Sequence, residues 1–389
     1  MKITRFETFL ANAGLRNYLF IRLTTQDGLT GIGEATLEWQ EKAVQTLSHE
    51  WLERRVLGRD PFDIEDVIGA LIRDQYQGGA TVMTAISGLE IAMWDLIGKA
   101  CKQPVYRLLG GRCHGTIPAY ANGWYGAAKT PREYADRASA AAARGYRALK
   151  FDPFGTAWKD MAAEESEAAI ERVAAVREAV GPKIGLMIEF HGRLSAGCAI
   201  ETMRRLERFQ PMWCEEPVAP ESLDLLAEVK AHTSLPIAAG ERLYTLADFA
   251  RLTQLRAADV VQMDIAHCGG LLVSKKIAAL AAVRDLRVAP HCSIGPVALA
   301  AALHFDASTP NFMIQEAFGE FDVPWRNDLV GGWNPICHGE FFLSDKPGLG
   351  LDIDESVVAA HPYVADAFPS LWDEAWLTNF TPNTEWKPR

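Results

Sequence analysis

The sequence predicts an α/β protein, a closed barrel of eight β/α units preceded by a smaller α+β unit. Two observations support this prediction. Eight short apolar runs alternate with helical stretches between residues 115 and 349, and the first hundred residues place strands before helices. Alternating β and α units indicate a parallel sheet, and eight units in about 230 residues is the size of a closed barrel. A doubly wound sheet is the alternative, but no glycine-rich phosphate loop follows the first strand.

The first hundred residues predict a β-hairpin followed by helices. The segment "YLFIRLTTQDGLTGIGEA" (18–35) contains two β-rich runs joined by an Asp-Gly turn, which is a strong hairpin signal. The last helical stretch carries apolar residues at helical spacing, and we interpret this stripe as core packing rather than a cofactor site. The predicted helices cover 40–52, 64–73 and 81–102.

The barrel strands follow the break "LLGGRCHG" (108–115), where paired glycines interrupt the pattern. We therefore predict a first domain over 1–114 and a barrel over 115–349. The tail, 350–389, contains no further β/α unit, and its tryptophans Trp372, Trp376 and Trp386 indicate that it packs on something, so we expect it to complete the first domain. The predicted barrel strands are 117–121, 148–151, 184–189, 212–215, 237–240, 260–263, 288–290 and 312–315.

Composition limits the classes of function. The chain of 389 residues is 49% hydrophobic and 23% charged, which is typical of a soluble globular protein. A net charge of −11 and a pI near 5.4 argue against nucleic acid or an anionic membrane as a partner. The seven cysteines form no CxxC pair, and the start of the chain is too short and polar for a signal peptide. We expect a cytoplasmic homo-oligomer with no membrane span and a small-molecule substrate.

Chemistry in a barrel of this kind collects at the carboxyl ends of the strands. Three glutamates, Glu189, Glu215 and Glu241, stand there 26 residues apart, which is one β/α step each, so neighbouring strands bring them to one place. Three converging carboxylates repel one another unless a cation neutralises them. Arginine or lysine partners are the alternative, but we see few at neighbouring strand ends, namely Arg193 and Arg242. All-oxygen ligation favours Mg²⁺.

Histidines stand at the same strand ends. Positions i and i+2 of a strand face the same way, so His191 projects beside Glu189. His291 stands one strand beyond Asp264, and such a pair can form a carboxylate–imidazole dyad that fixes the tautomer of the ring and raises its basicity. The other polar candidates at strand ends are Lys150, Asp152, His267 and Glu316. Glu216 precedes Pro217, and we expect it to tie down its loop.

Six ordered motifs resemble the mandelate racemase branch of the enolase superfamily: "IEFHGR", "CEEPV", "AAGERLY", "QMDIAHCGG", "APHCSIGPVALAAALHFD" and "IQEAFG". Within that branch the chain is most similar to sugar-acid dehydratases of the galactonate dehydratase type. The resemblance implies an α/β fold with a modified (β/α)7β barrel of the triosephosphate isomerase type, which lacks one helix. It also implies an α+β N-terminal capping domain, built from both termini.

Site roles follow from the same resemblance. Glu189, Glu215 and Glu241 would hold Mg²⁺, and Asp264 would orient His291 as the general base. The general acid would be His191, and Glu316 would donate a hydrogen bond to the enolate oxygen. The candidates for substrate binding are Asp152, Arg242, His267 and Asn17.

Two departures from the family pattern bear on the chemistry. The first metal ligand of galactonate dehydratases is usually Asp, whereas Glu189 is one methylene longer. The Lys-x-Lys of the racemases stands here as Lys150-Phe151-Asp152, and Asp152 cannot be an amine base, which argues against a two-base racemase. Lys150 could still bind the substrate carboxylate or transfer a proton.

The expected activity is Mg²⁺-dependent dehydration of an aldonate-type sugar acid to a 2-keto-3-deoxy acid. A cycloisomerase of an anhydro- or lactone-type sugar acid is the alternative within enzymes, since the same residues serve both reactions. A non-catalytic sugar-acid-binding protein is the alternative from another class. We also expect the loop "LANAGLRNY" (10–18) to cover the barrel mouth, because an open site would expose the reaction to water.

Overall fold

The computed structural model describes residues 1–14 and 16–365. Its first part is an antiparallel sheet in the order β1-β2-β3, packed against helices. The predicted hairpin is confirmed, since β2 and β3 pair across the Asp-Gly turn. The strands are β1 (Ile3–Asn12), β2 (Asn17–Thr25) and β3 (Thr30–Glu34). The helices are α1 (Glu41–Leu47), which a π-helical turn (Ser48–Leu52) extends into α2 (Glu53–Val56), then α3 (Ile64–Asp74), α4 (Ala80–Cys101) and α5 (Val105–Leu108).

Helix α4 is the central element of this part and lies directly against β3. A Cβ atom on Gly33 would stand 1.9 Å from the carbonyl oxygen of Gly88, so the close approach of helix and strand requires glycine at that position. The helix is long and apolar enough to cross a membrane, but 78% of its most apolar stretch is buried inside the protein. The predicted core stripe is confirmed, because its side chains, Met83, Ile86, Leu89, Met93 and Leu96, are all buried.

Residues 117–317 form a closed barrel of eight parallel strands. Seven strands run side by side in chain order, and the eighth pairs with the first, while a bridge from Val288 to Phe312 joins the seventh strand to the chain before the eighth. The strands are β4 (Ile117–Ala121), β5 (Ala148–Phe151), β6 (Gly185–Glu189), β7 (Trp213–Glu215), β8 (Ile237–Ala239), β9 (Val260–Val261), β10 (Arg287–Val288) and β11 (Gln315–Ala317).

An α-helix follows each of the first seven barrel strands, and short 3₁₀ turns (Gly319–Phe321, Asp328–Val330) follow β11 in place of one. The (β/α)7β prediction is therefore confirmed. The eighth strand begins three residues later than predicted, because Phe312 first pairs with β10 before the chain reaches β4. The helices are α6 (Pro131–Ala143), α7 (Ala163–Val180), α8 (Ala196–Leu206), α9 (Leu223–Ala231), α10 (Leu246–Leu255), α11 (Gly270–Val283) and α12 (Pro296–Ala307).

After the barrel the chain returns to the first part of the structure. A hairpin, β12 (Ile336–Cys337) and β13 (Glu340–Phe341), pairs with β4, and α13 (Glu355–Ala360) packs on β1. The predicted domain boundaries stay a proposal. The predicted packing of Trp372, Trp376 and Trp386 falls on residues 366–389, outside the described residues.

The interior of the barrel is filled by one side chain from each strand or from the residues beside it. Among them Tyr120 and Trp213 meet edge to face, with ring centroids 5.6 Å apart. The indole Nε1–H of Trp213 donates to Glu215 at 2.9 Å, so this packed layer supports the floor of the strand-end site. The layer consists of Tyr120, Ala148, Met187, Trp213, Ala238, Val260, Ala289 and Ile314.

Two buried carboxylates hold the cap, which is the sheet β1–β3 with helices α1–α5, on the barrel. Glu34, at the end of β3, accepts hydrogen bonds from three backbone N–H groups at the start of α12, at 2.7–3.1 Å. Glu90, on α4, accepts from two at the start of α11, at 2.8 and 2.9 Å, and burial raises the pKa of Glu90 to about 8. Both satisfy orphan donors at a positive helix end. Because Asp264 stands between β9 and α11 and His291 between β10 and α12, the cap is fixed beside those residues.

The pH dependence of stability has one testable source at His304 on α12. Its Nδ1 accepts the backbone N–H of Tyr106 at 3.1 Å, which requires a neutral ring, and burial lowers the pKa of His304 to about 4. Between pH 6.5 and 4 the His304 ring therefore binds a proton in the unfolded state but not in the folded state. The free energy of unfolding falls as pH falls. We expect His304 to lower the free energy of unfolding by about 3 kcal/mol as pH falls through this range.

The variant His304→Asn isolates this contribution, because an amide oxygen can accept the same N–H without titrating. Urea unfolding at pH 7 and pH 4 is expected to show a smaller acid loss in the variant than in the wild-type protein. Equal losses in the two proteins would place the acid sensitivity elsewhere.

Candidate active site

The carboxyl ends of the barrel strands and the segment after β3 enclose a cavity of about 320 Å³. The barrel lines it with Lys150, Glu189, His191, Glu241, Arg242, His267 and His291, all of which sequence reasoning named. The cap contributes Arg16, Leu37, Glu38, Trp39 and Gln40. The mouth of the barrel is thus partly covered by the cap.

The three glutamates lie together at the ends of β6, β7 and β8. One oxygen from each of Glu189, Glu215 and Glu241 lies within 4.8 Å of the other two. Glu189 Oε2 is buried and has no hydrogen-bond partner among residues 1–14 and 16–365. Burial, followed by the charge of Glu215, raises the pKa of Glu189 well above its usual range. A buried carboxylate oxygen without a hydrogen bond, beside two more carboxylates, fits an oxygen-coordinated divalent cation.

Lys150 is the basic partner that sequence reasoning missed. Its ammonium lies 2.6 Å from Glu215 Oε1, 2.9 Å from Glu316 Oε1 and 3.5 Å from Glu189 Oε2. Only Arg193 and Arg242 were considered as basic partners from the sequence, whereas Lys150, at the end of β5, reaches strand ends two places away on either side. Burial alone would raise the pKa of Glu215, but Lys150 lowers it below the usual range. One carboxylate of the cluster is thus neutralised from within the protein.

Asp264 and His291 form the predicted dyad. Asp264 Oδ2 lies 2.8 Å from His291 Nδ1, so the ring presents Nε2, which is 3.8 Å from both Glu241 and Glu316. Burial by itself would lower the pKa of His291, but these carboxylates raise it well above its usual value. His267 lies behind the dyad, with Nδ1 3.5 Å from Asp264 and Nε2 2.8 Å from the carbonyl oxygen of Thr36.

A second carboxylate–imidazole pair lies at the end of β6. Asp152 Oδ2 is 2.8 Å from His191 Nδ1, and both Asp152 oxygens lie 2.6 Å from Arg193 Nη2. Burial alone would raise the pKa of Asp152, but Arg193 and His191 lower it. Asp152 does not line the cavity, because its carboxylate bonds to Arg193 and to the ring of His191, and its expected role in substrate binding stays a prediction.

The two histidines approach the cavity from opposite sides. The strands β4 to β11 follow one another around the ring, so β6 and β10 stand four places apart in a barrel of eight. His191 follows β6 in a left-handed backbone conformation (φ 51°), and its N–H donates to Glu189 Oε1 at 2.6 Å. The turn that places this ring is therefore bonded directly to the carboxylate cluster.

Glu316 is placed as an acceptor rather than a donor. Oε1 accepts from Asn122 at 2.8 Å, Lys150 lies 2.9 Å from the same oxygen, and Oε2 accepts from the backbone of Cys292 at 2.8 Å. Burial alone would raise the pKa of Glu316, but Lys150 and His291 lower it. The expected role of Glu316 as hydrogen-bond donor to an enolate stays a prediction, and in this structure both of its oxygens are held by donors.

Two further predicted residues have different placements. Arg242 lines the cavity and donates through Nε to Glu216 at 2.8 Å, so Glu216 is held in its loop as expected. Burial raises the pKa of Glu216 to about 7, although Arg242 opposes the shift. Asn17 does not line the cavity, because its amide bonds to both backbone groups of Val364, at 3.1 and 2.9 Å. Its neighbour Arg16 reaches the cavity instead.

Several cavity residues were not identified from the sequence. Asn122 directly follows β4, so the strand-end rule could have found it. Glu38 and Gln40 follow the last strand of the cap, and no sequence signal shows that this segment reaches the barrel. The others are Arg16, Leu37, Trp39, Tyr125, Tyr244, Ser293 and Phe318.

A (β/α)7β barrel with a cap, three clustered carboxylates on successive strands and an Asp–His dyad beyond them defines an enzyme of the enolase superfamily type. Residues 133–357 match the enolase C-terminal domain-like family, and residues 6–110 match the N-terminal domain of the mandelate racemase / muconate lactonizing enzyme family. The chain belongs to this family.

Similar proteins carry related names. The chain is 37% identical to a D-gluconate/D-galactonate dehydratase of Picrophilus torridus over 87% of each chain. It is 38% identical to a D-galactonate dehydratase of Xanthomonas oryzae over 92% of this chain and 94% of the relative. A mandelate racemase/muconate lactonizing enzyme-like protein from Rubrobacter xylanophilus superposes with a TM-score of 0.88 at 36% identity, covering 93% of this chain and 98% of that one.

Proposed function

We propose that the protein is a Mg²⁺-dependent dehydratase of an aldonate, which abstracts the proton α to the carboxylate and eliminates the β-hydroxyl to give a 2-keto-3-deoxy acid. That it is a hydro-lyase of the enolase superfamily, acting on a sugar acid, follows from its family and from relatives named dehydratases. The observation that supports the full proposal is the pair of carboxylate-backed imidazoles on opposite sides of the glutamate cluster.

Glu189, Glu215 and Glu241 would hold the cation, which when bound would neutralise charge on the carboxylate of the substrate and offset the carboxylates that raise the pKa of His291. His291 Nε2 takes the proton from the α-carbon, and Asp264 stabilises the imidazolium that results. His191, held by Asp152, donates a proton from Nε2 to the departing β-hydroxyl, which leaves as water. The enol then tautomerises to the keto acid. Lys150 keeps Glu215 and Glu316 ionised and in place.

The remaining parts of the proposal concern the cellular setting. Cys101, Cys113, Cys198, Cys214, Cys268, Cys292 and Cys337 are free thiols, which supports a reducing compartment, and we place the protein in the cytoplasm. A homo-oligomer is also proposed, and size-exclusion chromatography with light scattering would test it.

A panel of sugar acids incubated with Mg²⁺ tests the proposed reaction. We expect an aldonate to give a product lighter by one water that reacts as a 2-keto acid. A product of unchanged mass would instead indicate cycloisomerisation. Saturable binding without any product across the panel would indicate a binding protein.

A further inference from the structure

Glu38 brings a negative charge to the cap side of the cavity. It lies between β3 and α1, next to Trp39, whose left-handed backbone (φ 65°) turns the chain at the cavity wall. Oε1 accepts a hydrogen bond from Ser293 Oγ at 3.1 Å, two residues beyond His291. Within residues 1–14 and 16–365, Glu38 forms no ion pair, and its Oε2 has no hydrogen-bond partner.

The cations on the cavity wall are already paired. Arg16 Nη2 lies 3.0 Å from Asp322, Lys150 bonds to the glutamate cluster, and Arg242 bonds to Glu216. Arg16 lies near enough to Glu38 to feel its charge, but its hydrogen bond goes to Asp322. Outside the glutamate cluster, Glu38 is therefore the carboxylate that the described part of the cavity wall leaves without an ion pair, and it presents a negative charge to an incoming group.

A carboxylate in this position selects by charge as well as by hydrogen bonding. An ionised carboxylate only accepts hydrogen bonds, so Glu38 can receive two hydroxyl groups of a polyol but repels a carboxylate or a phosphate. Discrimination between similar ligands commonly depends on such a repulsive element. Ser293 holds Oε1 of Glu38, and Oε2 is left to accept a hydrogen bond from the substrate.

We propose that Glu38 is a specificity-determining residue, which restricts the site to sugar acids with one carboxylate and an uncharged polyhydroxyl tail and excludes sugar diacids. This inference rests on the proposed function, because it takes the substrate's single carboxylate to lie at the glutamate cluster. The tail then extends toward the cap and meets Glu38.

Matched substrates test the inference. An aldonate and the aldarate of the same configuration differ only at the terminal carbon, which is a hydroxymethyl group in one and a carboxylate in the other. Glu38→Gln removes the charge and keeps the shape, and it is expected to raise the ratio of kcat/KM for aldarate over aldonate at least about tenfold. Glu50→Gln is the control, since Glu50 is an exposed cap residue paired with Arg54, and it should leave the ratio unchanged.

Each outcome decides a separate question. Intact aldonate turnover with an unchanged ratio in Glu38→Gln and in a second variant, Glu38→Ser, would overturn the inference and leave the proposed function standing. If the wild-type protein turned over no aldonate, the proposed function would fail, and calorimetric binding of the two acids with Mg²⁺ would then test Glu38. Tighter wild-type binding of the monoacid, lost in Glu38→Gln, supports the inference, and equal wild-type binding overturns it. Circular dichroism checks that both variants fold.

Discussion

Replacing His291 with asparagine is expected to lower the exchange of the substrate's α-hydrogen with solvent deuterium by about a thousandfold or more. Asparagine can keep a hydrogen bond to Asp264, which lies 2.8 Å from His291 Nδ1, but it has no group that can take a proton near neutral pH. General-base catalysis by a positioned side chain is typically worth a hundredfold to ten-thousandfold. The measurement is proton NMR of the α-position in D₂O.

The matched variant His191→Asn separates the two proposed proton transfers. It removes the other carboxylate-backed imidazole, on the opposite side of the barrel mouth, and should reduce formation of the 2-keto acid far more than α-hydrogen exchange. Normal exchange in His291→Asn would contradict the assignment of the base. Lys150 would be the next candidate, although its ammonium is held between Glu215 and Glu316.

The residues predicted correctly to meet are those whose position depends on the barrel alone. Glu189, Glu215 and Glu241 stand at the ends of three successive strands, and parallel pairing places Glu189 directly beside Glu215. The barrel rule therefore brings them together whatever their rotamers. The same rule places Asp264 one strand from His291, and these two positions form a parallel bridge.

The contacts that the sequence did not predict depend on side-chain direction or on distant segments of the chain. Asp152 was expected to meet substrate, but Arg193, 41 residues away, and His191 take both of its oxygens. Lys150 was expected to act on substrate, and its contact with Glu215, two strands away, depends on its rotamer. Neither choice leaves a pattern in the sequence.

The contribution of the cap was the least predictable feature. Glu38 and Arg16 reach the cavity only because the cap docks on the barrel, and that docking depends on Glu34 and Glu90 meeting helix starts about 180 to 260 residues away. The sequence indicates that a cover is needed, but it does not show which side chains point inward. Asn17 and Arg16 are neighbours, and only Arg16 lines the cavity.

Removing divalent cations with EDTA is expected to lower turnover at least about a thousandfold while leaving the protein folded. The Lewis-acid contribution of a bound cation is worth several kcal/mol in the transition state, and about 4 kcal/mol corresponds to a thousandfold. The barrel is nevertheless preformed, because its interior is packed by side chains from each of the eight strands or from the residues beside it. Lys150 also neutralises part of the carboxylate cluster from within. Far-ultraviolet circular dichroism should therefore be unchanged.

A second readout does not depend on catalysis. Mg²⁺ should raise the melting temperature of the EDTA-treated protein. A ligand that binds only the folded state raises the free energy of unfolding by RT ln(1 + [L]/Kd). Glu241→Gln should abolish that rise, because it removes one of the three converging carboxylates and leaves the Lys150 ion pairs with Glu189 and Glu215 in place. Glu50→Gln serves as the surface control and should respond like the wild-type protein. Full turnover after EDTA treatment, or an equal Mg²⁺ response in Glu241→Gln, would contradict the assignment of the cation to these glutamates. Unchanged far-ultraviolet circular dichroism distinguishes both outcomes from loss of the fold.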